Sequence, residues 1–168
     1  VNHATFKAAL FLSAGIIDHE THTRDLSRLG GLRTLMPITF AIVALATLSM
    51  AGIPPLNGFL SKEMMLEEAS HIQWPNACAM GVLATLGALF SVGYSVRFLA
   101  HGFLGPIRSD YTRAPHDPGP GLWLAPASLA ALVVLIGLLP NQMTGWLLHP
   151  AALATTGQDL HLHISHWH

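Results

Sequence analysis

Residues 36–53 run eighteen positions without a charged side chain, and residues 122–139 do so again. A helix rising 1.5 Å per residue needs roughly 20 apolar residues to cross the ~30 Å hydrocarbon interior of a bilayer, and these runs come close to that length unaided. Two further apolar stretches, residues 4–17 and 76–100, carry one charge each, Lys7 and Arg97. The composition agrees: 51% of the 168 residues are hydrophobic, 10% are charged, and the formal net charge is −1. A soluble domain devotes about a quarter of its residues to charge, so an ordinary soluble globule is excluded, and the apolar content excludes intrinsic disorder. Eight Lys plus Arg against nine Asp plus Glu leave no basic excess for nucleic acid. Cys78 stands alone, which rules out an intrachain disulfide and a cysteine-based zinc site and leaves it as a small packing residue. The pattern predicts an all-α polytopic transmembrane bundle.

One helix of that bundle must be broken. Gly52-Ile53-Pro54-Pro55-Leu56-Asn57-Gly58 cannot continue a regular helix, because proline lacks the N–H and clashes with the preceding turn. Helical character is expected to resume near Phe59 and run to about Ser70, so residues 36–70 read as one discontinuous crossing. The expected crossings are then 1–17, 36–70, 76–100 and 122–140, with 141–168 a His-rich extramembrane or interfacial segment. Small residues Ala77, Gly81, Ala84, Gly87, Ala88 and Ser91 predict a third helix that faces the bundle. Arg24, Arg28 and Arg33 fall in the loop 18–35, and Arg108 and Arg113 in 101–121. With one broken crossing between them, both basic loops lie on the same side, which the positive-inside rule makes cytoplasmic. Arg97, one turn after Tyr94, reads as an anchor at that interface. Val1 opens in mid-pattern, so we expect a piece of a longer polytopic protein.

The residues that carry chemistry are amines in apolar surroundings. A charge at mid-bilayer costs about 2.5–3.5 kcal/mol even on insertion scales, and it persists where it faces a cavity or a partner. Lys7 is such a residue, and His3 precedes it by four positions, on the same helical face. Lys62 follows the Pro-Pro break by one to two turns; broken helices at membrane depth line protein or water, and their free ends offer exposed dipoles to ions. Glu63 is a secondary candidate beside Lys62, while Glu67 and Glu68 read as a solvated helix end. Asp18-His19-Glu20-Thr21-His22 holds ligand-type residues without a zinc or calcium spacing, and the tail His161, His163, His166 and His168 lacks a carboxylate or thiolate nearby. We therefore expect no metal. Phosphate loops, nucleophile elbows and HExxH helices are missing from the sequence.

His3-Ala4-Thr5-Phe6-Lys7-Ala8-Ala9-Leu10-Phe11 and Gly58-Phe59-Leu60-Ser61-Lys62-Glu63 resemble two signature segments of the proton-translocating antiporter-like membrane subunits. That family includes the large subunits of respiratory complex I and the A-type and D-type subunits of Mrp multisubunit antiporters. Gly15 to Thr21, then Arg24-Asp25 and Gly30-Gly31-Leu32, look more like the A-type subunit of the Mrp group. The resemblance covers most of residues 1–140 and fades in the tail. It implies that Lys7 is a lysine of the central hydrophilic axis, His3 the histidine beside it, and Lys62 the lysine of the outlet half-channel. It implies a transporter subunit rather than an enzyme, in a bacterial inner membrane and with no cofactor. Its partners would be other hydrophobic subunits, the lipid bilayer, protons, and Na+ or another monovalent cation. The family's further glutamate and lysine, in an earlier helix repeat, are not in this chain. A proton-pumping subunit of NADH:quinone oxidoreductase is the nearer alternative, and a membrane scaffold or metal-binding protein centred on the tail the more distant one.

Overall fold

Pro37 at the first helical position and Gly52 just past the last define a 15-residue helix, α3 (Pro37–Ala51), on which the rest of the molecule is organised. The computed structural model describes residues 1–71, 77–108, 111, 113–143, 145–146 and 149–157. Before α3 come α1 (Asn2–Thr21) and the short α2 (Leu32–Leu35); after it come α4 (Asn57–His71), α5 (Ala77–Leu99), α6 (Pro120–Leu138), α7 (Pro140–Met143) and α8 (His149–Thr156). Among the described residues there is no strand. The fold is an all-α membrane bundle with one discontinuous helix. The side chain of Cys78 and the histidines at 161–168 lie outside the described residues.

The direction of each half of the broken helix follows from its contacts with α5. Ser91 meets Met50, and Phe103, in a π-helical turn that extends α5 over Ala100–Leu104, meets Phe40 with ring centroids 5.5 Å apart. Advancing along α5 therefore means moving back along α3. The same is true of α4, whose Lys62 meets Ser91 while Leu66 to Ser70 share a cavity with Thr85 and Ala88. Both halves run antiparallel to α5, hence in the same sense as each other. Helix α4 begins at Asn57, two residues earlier than the prolines alone lead one to expect. The reason is local: Leu56 N–H donates to Ile53 O at 3.1 Å and Phe59 N–H to Leu56 O at 3.1 Å, so the chain is already turning as it leaves the prolines.

Helices α1 and α6 close the other side. Phe6, Ala9, Leu10, Ile16 and Ile17 from α1 join Val43, Ala46 and Met50 from α3 and Val133 from α6 in one core. Gly137 lets α6 cross the break at backbone distance, where any Cβ would collide with Pro55 O. Among its described side chains, α5 turns the stripe Gly81, Ala84, Ala88, Ser91, Ser95 and Phe98, spaced three and four apart, toward the bundle, with Leu99 beside Phe98 on the core; the side chain of Ala77 lies outside the described residues. The small-residue expectation holds along that stripe. Gly87 departs from it and is exposed, as are the large apolar residues Val82, Leu83, Leu86 and Phe90 on the remaining face. By length and apolarity alone, the segments Ala79–Leu104 and Pro120–Leu138 can each cross a membrane.

The two basic loops dock on each other at one end of the bundle. Tyr111 Oη accepts from Gly30 N–H at 2.9 Å and donates to Gly30 O at 3.0 Å. Asp117 caps α3, accepting from the N–H groups of Ile38 and Thr39 at 2.8 and 2.9 Å and from Thr39 Oγ1 at 2.8 Å. The carboxylate of Glu20 lies between two imidazoles, with His19 Nδ1 at 3.1 Å and His116 Nδ1 at 2.9 Å. No group of three or more His, Cys, Asp or Glu side chains suited to a metal ion occurs among the described residues.

Candidate functional site at the helix break

Every helix C-terminus leaves four carbonyls without an intrahelical partner, and the fate of those at the end of α3 builds the site. Gly52 adopts φ +82°, a left-handed conformation that costs glycine little. That turn brings Ile53 N–H to Leu48 O at 3.1 Å and Gly52 N–H to Ser49 O at 2.9 Å, the paired bonds of a Schellman cap. Met50 O and Ala51 O remain for other groups. Ser91 Oγ, from α5, donates to Met50 O at 3.0 Å, and Lys62 Nζ, from α4, donates to Ala51 O at 2.9 Å. Lys62 Nζ also donates to Ser91 Oγ at 3.3 Å. The ammonium thus sits on the negative end of the α3 dipole, which carries roughly half an elementary charge. A Cβ at residue 52 would meet Lys62 Cδ at 2.6 Å, so the glycine serves the lysine's path as well as the turn.

A buried polar braid pins the start of α4 to its neighbours. Asn57 is fully buried; its Oδ1 accepts from Ser49 Oγ at 2.7 Å and its Nδ2 donates to Thr5 Oγ1 at 2.8 Å. Gly58 N–H donates to Ser49 Oγ at 3.0 Å. From α1, Asn2 Nδ2 donates to Asn57 O at 3.2 Å and Ser61 Oγ at 2.8 Å. The helix that carries His3 and Lys7 is in this way tied to the helix that carries Lys62.

Two cavities flank the tie. One of about 570 Å³ is lined by His3, Lys7, Ser61, Lys62, Ser91 and Tyr94 among others. The other, of about 740 Å³, is lined by Lys62, Glu63, Glu67, Ser70 and Thr85 with apolar neighbours. Lys62 borders both. Lys7 and Lys62 are half-buried, and Lys7 Nζ stands 5.6 Å from the centre of the Tyr94 ring, a cation–π distance. His3 does share the cavity with Lys7, but it is exposed: it lies on the first turn of α1, where its ring packs edge-on against Phe6 at 5.2 Å. Glu63 is half-buried and Glu67 exposed.

Four contributors escaped the sequence. Asn57 reads there as a helix breaker, Ser91 as a small packing residue and Tyr94 as part of an interface anchor with Arg97, while Asp117 draws no reading at all. Only a three-dimensional register makes them partners of Ser49, Lys62, Lys7 and α3. Asn57 alone carried a usable signal, an amide within an apolar break.

The sequence pattern of the family described as "NADH:quinone oxidoreductase/Mrp antiporter, TM" matches residues 1–87, which hold α1, the break, Lys7 and Lys62. The chain belongs to this family. Among curated relatives of this antiporter-family chain, the A1-type subunit of the Na(+)/H(+) antiporter of Staphylococcus saprophyticus is 42% identical over 177 residues, covering 99% of this chain and 22% of that protein. The A/B-type subunit of a probable K(+)/H(+) antiporter of Rhizobium meliloti is 45% identical over 172 residues, covering 100% of this chain and 17% of that one. The antiporter-family chain therefore spans about a fifth of the length of the curated relatives it matches. In the solved Mrp complex from Dietzia sp., a chain 36% identical superposes with a TM-score of 0.75, covering 99% of this chain and 18% of the other. A chain of the membrane-bound sulfane sulfur reductase, an archaeal respiratory membrane complex, is 33% identical with a TM-score of 0.75, covering 87% and 24% respectively.

Proposed function

We propose that this chain is part of the membrane subunit of an Mrp-type monovalent cation/proton antiporter, and that Lys7 and Lys62, with His3 at the cavity mouth, pass protons along it. The observation that carries the reading is the position of Lys62: it is held by a half-helix terminus and borders both cavities, one of which it shares with Lys7. A titratable amine between two recesses can take a proton from one side and release it to the other. Moving one charge across 100 mV is worth about 2.3 kcal/mol, comparable to one or two hydrogen bonds, so modest rearrangements at the break gate the transfer.

In the same reading α3 and α4 form one crossing. Alone, each 15-residue helix rises about 22 Å, short of the hydrocarbon thickness; their common direction along α5 supports a single span. Four crossings over residues 1–17, 36–70, 76–100 and 122–140 then put both docked basic loops on the cytoplasmic face, with 141–168 as an interfacial tail. The partners are further hydrophobic subunits and lipid. Protons exchange against Na+ or K+, the ions in the names of the two relatives.

The test is Lys7→Ala and Lys62→Ala in the complete complex, assayed in everted vesicles by collapse of a pH gradient on adding Na+ or K+. Exchange should be abolished while the subunits still copurify; near-normal exchange in both variants overturns the assigned roles. A redox-driven proton pump is the second reading, favoured by the family's breadth and by the likeness to a respiratory complex. Copurification of redox subunits with the complete complex would select it.

A further inference from the structure

We infer that Ser91 is a positioning residue for Lys62, one that fixes which of the amine's three protons faces the cavities. The inference rests on the proton-carrying role proposed above for Lys62. An ammonium has three N–H donors in tetrahedral array. Two are committed, to Ala51 O at 2.9 Å and to Ser91 Oγ at 3.3 Å. Ser91 is itself oriented: its single hydroxyl proton goes to Met50 O at 3.0 Å, which turns the oxygen lone pairs toward Lys62. Serine thereby fills one of the two carbonyls that the Schellman cap leaves open and lends its oxygen to the lysine that fills the other. With two donors tethered, the third N–H is the one left for water in the recesses that Lys62 borders.

In the transfer step that third N–H bond breaks, its electron pair stays on nitrogen, and the proton passes to a cavity water; the neutral amine keeps both tethers and takes a proton back along the same direction. Without the Ser91 oxygen the amine turns about a single tether, and the transferable proton loses its fixed heading. Ser91 is half-buried on the packed stripe of α5, where serine's small size alone would satisfy the helix contact. The hydroxyl is what the inference assigns a role.

Three substitutions separate oxygen from volume. In the complete complex, Ser91→Ala and Ser91→Val should lower cation-driven proton exchange roughly tenfold, as loss of one hydrogen bond to a charged group implies, and should shift the pH profile of exchange. Ser91→Thr has the volume of valine and keeps the oxygen, so it should retain both rate and profile. Copurification of the other subunits checks assembly for each. If Ala and Val exchange at the parental rate with an unshifted profile, or if Thr fails as Val does, Ser91 has no such role. Lys62→Ala, run alongside, tells the two ideas apart: its retention of exchange would refute the function proposed for Lys62, whereas its loss beside an unaffected Ser91→Val would refute the inference alone.

Discussion

Asn57→Leu should loosen the break, because it removes the polar anchor and adds bulk at a fully buried position. The side chain is fully buried and makes two hydrogen bonds, accepting from Ser49 Oγ at 2.7 Å and donating to Thr5 Oγ1 at 2.8 Å. Leucine shares the branched skeleton of asparagine, is bulkier, and offers neither. Thr5 Oγ1 still donates to Asn2 O at 2.8 Å, so the group left without a partner is the Ser49 hydroxyl proton, although its oxygen still accepts from Gly58 N–H. In water-soluble proteins an orphaned buried donor costs about 1–3 kcal/mol, whereas interhelical bonds in membranes average ~0.6 and reach ~1.7. Two bonds on the membrane scale give about 1–3 kcal/mol. Reversible unfolding of the purified full-length protein in mixed micelles reads the loss. A cycle pairing Asn57→Leu with Ser49→Ala should return a coupling of roughly 0.5–2 kcal/mol, because the two residues share one bond. Exchange should fall as well, since Asn57 fixes the start of the helix that carries Lys62. A leucine variant as stable as the parent, with no coupling to Ser49, would show that the braid does not hold the break.

Two further outcomes concern the loops. Asp117→Ala removes three hydrogen bonds at the positive end of α3 and should destabilise the same protein by about 1–3 kcal/mol, cap and dipole together; Asp117→Asn, which keeps a carbonyl acceptor without the charge, should cost less, and an asparagine variant as stable as the parent would mean that the charge is irrelevant. Asp25 accepts from Ser27 Oγ at 2.7 Å and Ser27 N–H at 2.9 Å, and these bonds, the side-chain one foremost, hold its carboxyl below the ordinary value of 3.8. A depressed folded value means that its contribution is complete above 3.8 and fades only as pH falls further through the folded value. Ser27→Ala should therefore raise the carboxyl titration seen by NMR and leave exchange at neutral pH unchanged.

What the sequence disclosed were features encoded by one chain segment at a time. Uncharged runs, the Pro54-Pro55 break and the two lysines on either side of it needed no tertiary knowledge, and the helices formed where those runs lie. The contact between loops 18–35 and 101–121, Tyr111 against Gly30, is of another kind, since neither segment encodes it alone. Local signals failed where a residue's meaning comes from a neighbour remote in sequence. Ser91 is 29 positions from Lys62, and Asp117 stands 78 from Thr39. Tyr94 illustrates the ambiguity: beside Arg97 in sequence it reads as an interface anchor, yet α5 directs it to Lys7 on α1. His3 shows the reverse, since spacing correctly placed it on the Lys7 face but carried no information about how little covers the first turn of a helix.

The break does more than line a cavity, and the size of the forces says why its form matters. Opposite unit charges 4 Å apart at an effective dielectric of 20 attract by about 4 kcal/mol. A carboxylate in that position would grip the Lys62 ammonium and release it only when something else moved. A half-helix terminus offers about half a charge, spread over carbonyls, and so supplies roughly half that attraction. It is also permanent: a carbonyl does not titrate, so the acceptor is the same whether the amine is charged or neutral. An uninterrupted helix could not provide it, because the carbonyls of Met50 and Ala51 would be bonded to the next turn. Pro54, Pro55 and Gly52 free those two carbonyls, and Ser91 and Lys62 occupy them. The prolines and the lysine are therefore parts of one device, in which the sequence that interrupts the helix also creates the acceptor for the charge that the interruption exposes.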